Sequence, residues 1–80
     1  MQVVREFFHQ DCKVTVFHWN GKYIIKLERD QMEQTYKVSE LDLAGDDSMI
    51  QMLDEEFMTN VSRQFEEMQK SFTETLRRHA

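Results

Sequence analysis

Between Ile50 and Leu76 the apolar residues Ile50, Leu53, Phe57, Val61, Phe65, Met68, Phe72 and Leu76 recur at steps of three and four, which draws a single apolar stripe along an α-helix. Ser48 with Gln51 three positions on forms a capping box that would start this helix, and Asp46 and Asp47 are rival caps. Asp54, Glu55 and Glu56 come early and Lys70, Arg77 and Arg78 late, the distribution that complements the helix dipole. A helix over residues 48–78 would be roughly 46 Å long, whereas a seven-residue strand spans only about 23 Å. No sheet that fits in the rest of the chain can cover such a helix from end to end.

What precedes the helix reads as that sheet. Asn20-Gly21 is the pair that type I′ turns prefer, and it lies between the β-rich runs Lys13–Trp19 and Lys22–Glu28. Folding at this turn sets Trp19 opposite Lys22, His18 opposite Tyr23, Val16 opposite Ile25 and Val14 opposite Leu27, which makes Val14, Val16, Ile25 and Leu27 the core face. Glu33–Ser39 follows as a further strand in which Tyr36 and Val38 alternate with Thr35 and Lys37. Residues 1–9, rich in Val and Phe, fit either a helical stripe or a strand turning at Gln10-Asp11. The strand is preferred because a short exposed helix is marginal in water. The expected fold class is therefore α+β: a three- or four-stranded antiparallel β-meander over residues 1–39, a connection over 40–47, and one long C-terminal amphipathic helix.

Eighty residues make one domain, and a core this small commonly supplies only about 3–5 kcal/mol without help from disulfides, metal or a partner subunit. Cys12 is the only cysteine, so an internal disulfide is excluded and a reducing, cytoplasmic setting is expected. Arg5 and Glu6 stand where a secretory leader needs an apolar run, and nothing approaches the roughly 18 apolar residues of a membrane span. The partner subunit is the help that remains. If the first half of the helix lies on the sheet, the rest of its stripe meets water, and exposed stripes of this kind mark interfaces. A helix-mediated homodimer is thus expected, with Val61, Phe65, Met68, Phe72 and Leu76 at its interface.

Candidate chemistry is sparse. His9, Cys12 and His18 are zinc-ligand types, but strand spacing puts Cys12 and His18 roughly 20 Å apart. His9 could approach Cys12 across the Gln10-Asp11 turn, yet no oxyanion-hole loop accompanies the pair. Two glycines supply no phosphate cradle, and Gly45 falls at the wrong place among Asp42, Asp46 and Asp47 for a calcium loop. Neither cofactor nor metal is expected, and no enzyme activity.

Charge is unevenly placed. Residues 1–39 hold six Lys/Arg against five Asp/Glu, and residues 40–80 hold four against ten, which together give the net charge of -5. Phosphate neutralisation needs basic patches, so this balance argues against nucleic acid as a partner. One feature runs the other way. Phe17, Trp19 and Ile24 share the outer sheet face with Lys13, Lys22 and Lys26, the residue types on which single-stranded bases stack. The favoured expectation is a non-catalytic homodimer that binds protein, and the alternative is a single-stranded nucleic-acid-binding protein using that outer face.

Overall fold

A computed structural model describes residues 1–80. Four antiparallel strands, β1 (Gln2–His9), β2 (Cys12–Trp19), β3 (Lys22–Arg29) and β4 (Met32–Ser39), form one sheet in the order β1-β2-β3-β4. Each strand has eight residues and each turn has two, so the meander repeats every ten residues. The first central residue of every turn takes a positive φ: Gln10 at 55°, Asn20 at 56° and Asp30 at 55°. At the middle turn Gly21 follows at 77°, the paired left-handed conformation of a type I′ turn, which glycine adopts without steric cost.

The register between β2 and β3 matches the expected pairing at every position, from Lys13 opposite Glu28 to Trp19 opposite Lys22. Residues 2–9 are a strand, as preferred, and β1 extends the sheet beside β2. The pairing slips by one residue between Val3 and Arg5. Before the slip Val3 lies opposite Phe17 on the outer face; the extra residue, Val4, packs against the core instead.

One sheet face carries the core. Val14, Val16, Ile25 and Leu27 are fully or almost fully buried there, with Cys12 and Tyr23 at opposite ends. The covering layer differs from the single helix expected over 48–78. After a 3-10 turn at Glu40–Asp42 come two helices, α1 (Asp46–Gln51) and α2 (Glu55–His79). Ser48 is inside α1 rather than at its cap, which is Gly45 at φ 106°, a conformation open to glycine alone. Asp54 separates the two helices: its backbone is extended and its carboxylate accepts the Phe57 N–H at 2.9 Å. The apolar stripe runs on unbroken across this point, so periodicity alone hides the break. Thr59–Ser62, four residues of modest helix propensity where a break would let the second half fold back, do not interrupt α2, which is continuous there.

Met49 from α1 and Met58, Val61 and Phe65 from α2 complete the core. Gln34 ties the layers together, donating through Nε2 to the Val61 carbonyl at 3.0 Å and accepting from the Tyr36 hydroxyl at 2.8 Å. Its amide is thereby satisfied at both ends, as burial demands. The molecule measures 47 × 25 × 19 Å, the long axis reflecting an α2 of about 37 Å against strands of about 26 Å. No helix is long and apolar enough to cross a membrane.

Candidate functional site

Two surfaces are built by residues that folding leaves uncovered. The first is the distal end of α2. The sequence assigns Val61, Phe65, Met68, Phe72 and Leu76 to an interface, but Val61 and Phe65 are core residues of the single chain, and Met68 is half-buried at its margin. The sheet reaches further along the helix than a strand ending at Glu28 would allow, because β3 runs to Arg29, whose guanidinium lies over the Phe65 ring at 5.9 Å. What remains outside is Phe72, 60% exposed, and Leu76, 57% exposed, on the same helix face. A shallow groove beside Phe72 is lined by Asp30, Gln31, Met32 and Gln69, where the helix leaves the sheet at the β3–β4 turn.

The second surface is the outer sheet face, which no element covers because residues 2–9 join the sheet as β1. Alternation and register arrange this face in cross-strand rows. Nearest the β2–β3 turn lie Trp19, Lys22 and Ser39, and next come Val3, Phe17, Ile24 and Lys37. The two further rows hold Glu6, Thr15, Lys26 and Thr35, then Phe8, Lys13, Glu28 and Glu33. The carboxylates are thus confined to the far half. Lys13 lies 3.9 Å from Glu6 and Lys26 lies 3.9 Å from Glu33, whereas Lys22 and Lys37 make no ion pair. Of the six residues singled out by sequence on this face, Phe17, Trp19, Ile24 and Lys22 come together, while Lys13 and Lys26 belong to the mixed-charge half. Lys37, opposite Ile24, takes their place, a position that the alternation of β4 makes legible.

The groups capable of chemistry are engaged in holding the fold. His18 stacks on Tyr23 with ring centroids 4.7 Å apart, and its Nε2 contacts the Glu40 carboxylate at 2.5 Å. The Tyr23 hydroxyl donates to Asp46 at 2.6 Å, and this bond, with burial adding to it, pushes the phenol up to about 12. These two contacts fasten the connecting segment to the end of the sheet. At the other end His9 and Cys12 face each other across the Gln10-Asp11 turn, but the His9 ring reaches toward Glu55 at 3.5 Å. Cys12 is buried beside a cleft of about 170 Å³, and desolvation raises its pKa, opposed by the charge of Arg29. A thiol held protonated is a poor nucleophile. No three His, Cys, Asp or Glu side chains converge as metal ligands would.

A feature that sequence reasoning missed adjoins the open edge of β4. Ile25, Tyr36, Val38, Met49, Leu53 and Phe57 line an apolar pocket of about 230 Å³, with Tyr36 edge-on to Phe57 at 5.6 Å. It lies where α1, the link that ends at Asp54 and the start of α2 come together over β3 and β4, and the Asp54-Glu55-Glu56 run was the available signal. Comparison with protein-family models, with curated proteins and with solved structures finds no match to this chain.

Proposed function

We propose that the chain is a non-catalytic protein–protein interaction module, working in the cytoplasm as a homodimer joined through the distal turns of α2. The observation that carries this reading is the exposure of Phe72 and Leu76 on a stripe whose proximal members form the core. Two large apolar side chains at helical spacing, projecting past the sheet, are the pattern that a second copy in antiparallel orientation would bury. Only 12 of 80 residues are buried in the single chain, so added burial between subunits would matter to stability. The structural engagement of Cys12, His18 and Tyr23 supports a non-catalytic role, and a lone cysteine supports the reducing compartment. The β4 edge with its adjoining apolar pocket offers a further protein partner main-chain hydrogen bonds and a side-chain socket.

Light scattering across a dilution series tests the dimer. The expected mass is twice 9.7 kDa, falling to the monomer value in a Phe72→Glu/Leu76→Glu variant whose circular dichroism is unchanged. A wild-type mass of one chain at every concentration overturns the proposal.

A further inference from the structure

The outer sheet face divides by charge, and the division says what it can hold. The half nearest the β2–β3 turn presents Phe17, Trp19, Ile24 and Val3 together with Lys22 and Lys37, and contains no carboxylate. Both lysines are free of ion pairs, while the only two ion pairs of this face lie in the other half. Most acidic residues of the C-terminal segment, ten against four basic ones, belong to α1 and α2 on the opposite face. Glu40, whose amide donates to the Gly21 carbonyl at the rim of this half, pairs its carboxylate with His18 on the core side. A chain of net charge -5 therefore keeps one apolar, cationic patch with no carboxylate in its own cross-strand rows.

Phe17 and Trp19 are two positions apart on β2, so their rings stand about 7 Å apart on one side of the sheet. Trp19 is 46% exposed, and Phe17 is half-buried between Val3 and Ile24. Two neighbouring rings flanked by two free ammonium groups match a ligand that alternates π-faces with negative charges. A duplex hides its base faces, and a peptide of acidic residues alone has carboxylates but nothing to stack. The geometry points to a binding site for single-stranded nucleic acid on this half of the face, with Phe17 and Trp19 as stacking platforms and Lys22 and Lys37 as phosphate contacts. Sequence-tolerant stacking of this kind is the usual basis of single-strand binding. The site is separate from the distal helix, so it stands whether or not the chain dimerises.

Trp19 is the only tryptophan, which makes its fluorescence a direct report of stacking. The experiment titrates the full chain with an oligothymidylate of about 15 nucleotides, following tryptophan quenching and the anisotropy of a label on the oligonucleotide. Quenching is expected at about 20 mM salt, with log K falling against log salt at a slope of about -1.4 for two phosphate contacts. Trp19→Ala is expected to weaken binding by about 5- to 150-fold in anisotropy. Lys22→Gln/Lys37→Gln is expected to abolish the salt slope, with circular dichroism confirming that both variants stay folded. Absence of quenching at low salt overturns the inference. So does unchanged affinity in either variant, or equal quenching by the matching duplex or by polyglutamate, which would mark a general polyanion or acidic-peptide surface.

Discussion

Single residues decide how the covering layer is attached. Tyr23 is the clearest case, since its hydroxyl anchors Asp46, the first residue of α1, while its ring supports His18. Its pKa of about 12 lies above the ordinary phenol value near 10, so the protonated form is the one that folding favours. The stability this bond contributes is fully present below pH about 10 and is lost as pH rises through about 12. Urea midpoints of wild type and Tyr23→Phe are therefore expected to differ at pH 8 and to converge as the phenol ionises; a gap that stays constant to pH 12 would contradict this. The stacking of His18 on Tyr23 was legible because the Asn20-Gly21 turn fixes their pairing. Asp46 was not, since nothing in a sequence reveals which acid a tyrosine from a distant strand will meet. Gln34 was missed for a related reason: a polar residue in an alternating strand reads as solvated, and only the helix carbonyl waiting at Val61 makes its burial tolerable.

At the scale of elements, the register of β2 against β3 was readable to the residue because turn type and alternation agree there, and either alone would have allowed a slip. Each strand nevertheless runs one residue further from the turn than expected, to Cys12 and to Arg29. The helix was read correctly in its face and wrongly in its start. A stripe with steps of three and four survives a turn that advances the chain by the right amount, so Leu53 and Phe57 keep their places although Met52, Leu53 and Asp54 lie outside both helices. Local capping chemistry carries the information that periodicity lacks. Asp54→Ala is expected to cost about 1 kcal/mol, read as a lowered urea midpoint, by leaving the Phe57 N–H without its partner. Ser48→Ala, which would be as costly had the capping box formed, is expected to change the midpoint little.

For the whole molecule the governing fact is a mismatch of lengths between a helix of about 37 Å and a sheet of about 26 Å. The sheet accounts for the helix through Phe65 and part of Met68, and the remainder lacks tertiary support. Isolated helical turns fray, so the amides of residues 73–79 are expected to exchange rapidly at dilution and to slow as concentration rises if subunits join there. Amide exchange followed by mass spectrometry at two concentrations reads this directly, with β2 and β3 as the invariant reference. The meander carries another consequence for the whole chain. Ten-residue spacing from Gln10 to Asp30 makes parity a property of the fold: one residue gained or lost inside β2, β3 or β4 would send every later strand position to the wrong side, exchanging buried Val14 and Leu27 for lysine and glutamate neighbours. Length changes compatible with this architecture therefore come in twos. The one odd residue the sheet accepts, Val4, sits where only Gln2 and Val3 remain to be displaced, so the meander keeps its single irregularity at the place where the fewest side chains change sides.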